Sequence, residues 1–306
     1  MRIPLRSVPV VSRRLGCRTY SSPPKTLPSA VEAIKAHPPK IIPDYLTPMP
    51  SHLLTTTLTD LISPQTPTSS TPKISSPPIP LPQGHHLVYF PIQLPPSKLI
   101  PDGADPDHSP GPPFTRRVWA GGEVTYGKGW KKMALDGRDV VCREKVEDVS
   151  LRGREGEEKV FVDVWRRYGI GHDEVEERKE WEIEERRTLV FMREEETSTS
   201  SPPRLIKPSS FISLYIPHSH GNSPLPLLSA LLQRALNPYR PPLSVSKFSY
   251  RNYAPLYVDE QMTIHLRKVS REDATEERWD VWIEGPEGGM AVKGNAHVAP
   301  VNTDAS

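Results

Sequence analysis

The sequence predicts an α+β fold in which antiparallel strands form two successive units, the second led by a helix. Three observations carry this. Apolar and charged residues alternate through Asp139 to Val149, Lys159 to Tyr168 and Glu180 to Phe191, the pattern of strands with one buried face. A leucine-rich stretch, Leu225 to Leu236, has a broad apolar face and stops before Pro238. Four further strand segments follow it, at Leu243–Tyr250, Gln261–Val269, Trp279–Gly285 and Met290–Val298, the last two joined by the tight turn Pro286 to Gly289. A helix followed by consecutive antiparallel strands lets the sheet curl around the helix, and two such units would make a pseudo-dimeric pair.

Taken from the start, Met1 to Ala30 carries Arg2, Arg6, Arg13, Arg14, Arg18 and Lys25, with no acidic residue before Glu32. That composition predicts a mitochondrial transit peptide over residues 1–22, and hence a mature protein in the mitochondrial matrix. Residues 23–83 read as N-terminal helices and a linker. Pro28 to Ala36 is one helix and Pro48 to Ile62 another, with Leu53, Leu54, Leu58 and Leu61 on one side. Thr55, Thr56 and Thr57 argue against the second, because β-branched side chains lose freedom in a helix. Ser63 to Pro80 is a Pro/Ser/Thr-rich linker.

The first unit spans 84–196. His85 to Phe90 is a short apolar strand or turn, with both histidines structural, and Pro95 to Pro113 is a loop. In Arg116 to Tyr126, the Gly121-Gly122 pair allows close backbone approach before a strand begins. Arg152 to Gly156 makes a hairpin connection, and the Glu/Arg run from Asp173 to Arg187 leads into a strand with its charges on a solvated face. An irregular Ser/Pro-rich connection, 197–224, separates this unit from the second, at 225–300. Arg251, Asn252 and Tyr253 shape the entrance of a cleft at a turn.

Composition narrows the function. The chain has 306 residues and 37 prolines, which mark connectors and arms rather than sheet interiors. The net charge of +2, with basic and acidic residues interleaved, leaves no footprint for nucleic acid. No apolar run reaches the length of a membrane span. Cys17 and Cys142 are too few for a disulfide framework or a thiolate metal site, and Cys142 is expected in the core.

Three patches, in this order, resemble one family: His86-Leu-Val-Tyr-Phe90, Arg116-Arg-Val-Trp-Ala-Gly-Gly122, and Phe248 to Val258. They are similar to the mitochondrial type 2 3-hydroxyacyl-thioester dehydratases and the mesaconyl-CoA hydratase-like, MaoC-like proteins. The resemblance implies a double hot-dog fold, two antiparallel sheets each curled around a helix, with the second unit atypical or truncated. It implies a hydro-lyase that reversibly dehydrates (3R)-3-hydroxyacyl thioesters to trans-2-enoyl thioesters in mitochondrial type II fatty acid synthesis. The acyl group would ride on acyl carrier protein or coenzyme A, no cofactor would be needed, and a homodimer is one candidate assembly.

The resemblance breaks at the family's Asn/His segment, which does not stand before the helix of the second unit. His220-Gly221 ahead of Pro224-Leu225 is what corresponds to its His-Gly-Pro-Leu turn. His220 and His218 are therefore the candidate catalytic residues, either one a base for the C2 proton with backbone N–H groups as oxyanion donors. The competing reading is a pair of exposed loop histidines, and with no third ligand nearby no metal is expected. Trp119, Gly121 and Gly122 are candidates to line the acyl tunnel, or else form a turn with a packed Trp. A non-catalytic acyl-thioester binding protein of the same fold is the alternative function, and a thioesterase a third that lacks a persuasive carboxylate or Asn.

Overall fold

The computed structural model describes residues 27–62, 72, 74–100, 103–172, 175, 178–193, 212–217, 225–239, 243–256, 260–269 and 277–300. Cys17, the expected presequence, most of the Ser63 to Pro80 linker, His218 and His220 lie outside them. The helices are α1 (Leu27–Lys35), α2 (Pro48–Ile62) and α3 (Leu225–Leu236). The strands are β1 (Lys40–Tyr45), β2 (Arg116–Tyr126), β3 (Asp139–Arg152), β4 (Lys159–Ile170), β5 (Ile183–Met192), β6 (Ile212–Pro217), β7 (Leu243–Asn252), β8 (Gln261–Lys268), β9 (Glu277–Glu284) and β10 (Met290–Pro300).

The hot-dog α+β plan is present, with the strands of both halves joined edge to edge into one ten-stranded sheet, β1-β3-β4-β5-β2-β7-β10-β9-β8-β6. The junction is β2 against β7, from Gly121 opposite Arg251 to Thr125 opposite Lys247. Alternation decides which side of each strand is buried. On β4, Val160, Val162, Val164, Arg166 and Tyr168 are buried, while Phe161, Asp163, Trp165 and Arg167 lie on the other face.

The second half is built around α3, whose Leu225, Leu228 and Leu232 recur every three or four residues and are almost wholly excluded from water. Among the described residues the first half has no comparable central helix. Its buried face is filled by a 3-10 turn, His85–Val88, with α2 packed against that turn and against α3, and α1 packed against β3. Gly84 enters the turn at φ +87°, and a Cβ there would sit 2.7 Å from Cβ of Ser229 on α3. Glycine is what lets the turn touch the helix. Just before it, Gln83 joins the halves: its side chain donates to the Val245 carbonyl at 2.6 Å and accepts from the Val245 N–H at 3.0 Å.

Several local expectations change. The segment His85–Val88 is a 3-10 turn rather than a strand. The Gly121-Gly122 pair does not precede a strand but lies inside β2, where a bulge at Ala120 shifts the register. Strand β1 lies in the stretch 23–83, expected to hold helices and a linker; it is an edge strand, the place where the missing N–H of Pro43 is tolerated. The threonines of α2 are accommodated, since Thr55, Thr56, Thr57 and Thr59 each donate to the carbonyl four residues back. Its buried face is Ser51, Leu54 and Leu58, while Leu53 is exposed. No helix among the described residues is long and apolar enough to cross a membrane.

Candidate active site

The site follows from a mismatch in strand length. Residues Gly121 to Thr125 of β2 are paired on both sides, but Arg116 to Trp119 pair with β5 alone, because β7 ends at Asn252. The Asn252 side-chain amide bridges the start of the split by donating to the Trp119 carbonyl at 2.7 Å. A cavity of about 1610 Å³ opens along it. Leu58, Leu87, Leu227, Met262 and Ile283 give it an apolar wall, while its charged lining is mainly cationic, including Arg116, Arg117, Arg152, Arg186 and Arg251 against Asp148 and Asp163. Apolar walls with a few placed polar groups suit a ligand with an apolar chain, and the arginines suit an anionic handle.

Trp119, Gly121 and Gly122 all line this cavity. Trp119 is fixed by its own indole N–H, which donates to the Gly121 carbonyl at 2.9 Å. Gly121 has φ +154°, and a Cβ there would lie 2.5 Å from the Tyr250 carbonyl oxygen. At Gly122 a Cβ would lie 2.4 Å from the Arg186 carbonyl oxygen and 3.1 Å from the Tyr250 hydroxyl. In register, Gly122 stands between Arg187 on β5 and Tyr250 on β7. The missing side chain leaves a trough between a cation and a phenol.

Behind the trough lies an ionic network that sequence reasoning missed. Glu185 is 1 % exposed and takes two hydrogen bonds from Arg187, from Nε at 2.7 Å and from Nη2 at 2.8 Å. The Tyr168 hydroxyl donates to the same carboxylate. Burial would raise the Glu185 carboxyl, but Arg187, His86 and Arg166 outweigh it and hold the group down to about 2. Arg187 itself lines the cavity, with its guanidinium 5.3 Å from the centre of the Trp119 ring. The expectation that the charges between Asp173 and Arg187 form a solvated face is thus corrected for Glu185 and Arg187. Both follow the alternation of Ile183, Leu189 and Phe191 onto the buried face. That parity was the available signal.

His86 is completely buried, 3.7 Å from Glu185 through Nε2, with neither ring nitrogen hydrogen-bonded. Burial lowers its pKa to about 4, so it is neutral near pH 7. His85, also lowered to about 4 by burial, meets the Ser51 hydroxyl at 2.8 Å. Neither histidine lines the cavity. Farther along the network, Arg166 lies 3.0 Å from Glu144, which also meets His108 at 3.0 Å. Asp105, His108 and Glu144 bring ligand-type atoms within 4.8 Å of one another. Two of these carboxylates already have a protein cation beside them, Asp105 with Lys40 at 2.5 Å and Glu144 with Arg166 at 3.0 Å.

Residues 84–218 match the family model of hydroxyacyl-thioester dehydratase type 2. No curated protein matches the sequence. Among solved structures, a MaoC-like dehydratase from Phytophthora capsici is similar at 13 % identity and a TM-score of 0.52, covering 87 % of this chain and 97 % of that one. HtdX of Mycobacterium tuberculosis is similar at 12 % identity and a TM-score of 0.46, with 85 % and 100 % covered. An acyl-CoA thioesterase II from Mycobacterium marinum gives 8 % identity and a TM-score of 0.39, with 61 % and 81 % covered. The first of these likenesses supports the hot-dog fold; the matched segment holds Trp119, the glycine pair and the Glu185–Arg187 network.

Proposed function

We propose, from the match of residues 84–218 to the hydroxyacyl-thioester dehydratase type 2 family model, that the chain is a member of that family and that the cavity at the β2–β7 split holds an acyl thioester. The reaction is the reversible dehydration of a (3R)-3-hydroxyacyl thioester to the trans-2-enoyl thioester, within mitochondrial type II fatty acid synthesis. The observation that carries the reading is one cavity with an apolar wall, a glycine trough and a mainly cationic charged lining, inside and beside the matched segment. The acyl chain takes the apolar wall. The arginines meet the phosphate of a phosphopantetheine arm, supplied by acyl carrier protein or coenzyme A. The basic, acid-poor start of the sequence supports the matrix as the place of work.

In this reading a base removes the C2 proton, the electron pair forms the C2–C3 double bond, and the C3 hydroxyl leaves as water after taking a proton. The thioester carbonyl makes the C2 proton acidic enough for a neutral histidine. His220 is the residue assigned to that step, with His218 second, since both precede the start of α3, whose Leu227 lines the cavity.

A second reading rests on a specific observation: no histidine lines the cavity among the described residues. In that case the chain binds acyl thioesters without turning them over. Hydration of crotonyl-CoA by the purified protein separates the two. Turnover supports the dehydratase, and its loss in His220→Ala assigns the base. Acyl-CoA bound without turnover above background supports the binding protein.

A further inference from the structure

The geometry points to Arg187 as the donor that holds the thioester carbonyl oxygen, which makes it a substrate-binding residue of the cavity. This inference rests on the reading of the cavity as an acyl-thioester site. Arg187 spends Nε on Glu185 and Nη2 on Glu185 and, at 3.4 Å, on the Tyr168 hydroxyl, while Nη1 has no hydrogen-bond partner among the described residues. The guanidinium is a planar fork, so fixing two nitrogens on a carboxylate and its face near Trp119 also fixes the direction of the third. The neighbouring register position is Gly122, which has no side chain to cover it.

The chemistry of the pair selects the ligand atom. Arg187 and Glu185 together carry no net charge, and Glu185 stays ionised despite its burial because the Arg187 and Arg166 guanidiniums lie beside it. A second carboxylate brought to Nη1 would lose its water and meet Glu185 as a like charge. A carbonyl oxygen needs only one donor and brings no charge. The same N–H bonds would strengthen as negative charge gathers on that oxygen when C2 loses its proton. Arginines elsewhere on the lining, such as Arg116 and Arg251, have no buried carboxylate beside them among the described residues of the cavity and are left for phosphate. The division is therefore between a neutralised, fixed arginine for the carbonyl and exposed arginines for the anionic arm.

The test compares two probes that differ only in that carbonyl: butyryl-CoA and its thioether analogue S-butyl-CoA. Calorimetric titration of the full chain is expected to give tighter binding of the thioester. Arg187→Gln would leave Glu185 poorly paired, so the deciding variant is the double substitution Glu185→Gln with Arg187→Met. It removes the donor and leaves a neutral amide that Tyr168 can still hold. Expected is a roughly tenfold or greater loss of butyryl-CoA affinity with S-butyl-CoA affinity unchanged, as for one charge-assisted hydrogen bond. Equal weakening of both probes, or of neither, overturns the assignment while the acyl-thioester reading survives. Absence of binding of either probe to the unsubstituted chain overturns that reading and the assignment together.

Discussion

Arg187 and Gly122 face each other across the β5–β2 ladder, one a cation of the cavity wall held by Glu185 and the other a position where a side chain would strike the Arg186 carbonyl oxygen. The pairing explains why an arginine can stand on the buried face of a sheet. Glu185 compensates its charge, and the glycine leaves its outer nitrogen an approach from the cavity.

The cost of breaking that compensation is predictable. Glu185→Ala leaves Arg187 without its counter-charge in the interior, and breaking one partner of a buried pair costs about 3–5 kcal/mol. Urea unfolding should show this loss. Tyr168→Phe removes the hydrogen bond its hydroxyl donates to the same carboxylate and the longer one it accepts from Arg187 at 3.4 Å, and should cost less, about 1.5–3 kcal/mol.

Acid sensitivity should come in two stages. His85 and His86 have folded pKa values of about 4, below the ordinary 6.5, so the unfolded chain binds more protons between those values. Their contribution is complete above pH 6.5 and falls as pH drops toward 4, with a slope approaching about 1.4 kcal/mol per pH unit for each. Glu144 and Glu185, held at about 2, contribute stability above 4.5 that is lost as pH falls through 2. Unfolding midpoints measured from pH 7 to 3 should therefore begin to fall already below 6.5. His86→Phe should reduce the first stage.

The glycine pair should resist substitution unequally from ordinary surface positions. Gly121→Ala meets the Tyr250 carbonyl oxygen at 2.5 Å in a backbone conformation that L-residues rarely adopt, so a loss of about 1–3 kcal/mol is expected. Gly111→Ala is the control for positive φ alone, since nothing lies within 4 Å of its Cβ position. Gly121→Ala should lower the thermal unfolding midpoint more than Gly111→Ala does.

In α3, Leu232→Ala removes a side chain that is fully buried in the main core. The expected cost is about 2–5 kcal/mol, set by how far the sheet can close over the cavity left. Thermal unfolding would show it as a lowered midpoint.

Much of this architecture was legible because alternation and turn chemistry are local. Helix α3 runs from Leu225 to Leu236 as the leucine spacing and Pro238 require, and β3, β4 and β7 to β10 begin at or within two residues of their expected starts. What escaped depended on partners distant in sequence. Strand β1 carries a proline and is a strand only because β3 offers it an edge. Among the described residues the first half has no helix in the place α3 takes in the second, because a 3-10 turn, set against Ser229 through Gly84, fills that space. At the site, Trp119, Gly121 and Gly122 could be singled out from sequence. Glu185 and Arg187 could not, because a charge run normally marks a wet face, and only pairing across the buried face reverses that rule.

The claim on which the account rests is that the cavity at the β2–β7 split receives an acyl thioester. Leu87, half-buried on the 3-10 turn, lines its apolar wall, and Leu87→Trp puts a larger side chain against that wall while leaving Glu185 and Arg187 in place. Titration of crotonyl-CoA against both chains is the direct measurement. The account predicts binding to the unsubstituted protein and at least roughly tenfold weaker binding to the variant, with the unfolding midpoint retained. Equal affinity in the two chains, or no binding to either, would contradict it.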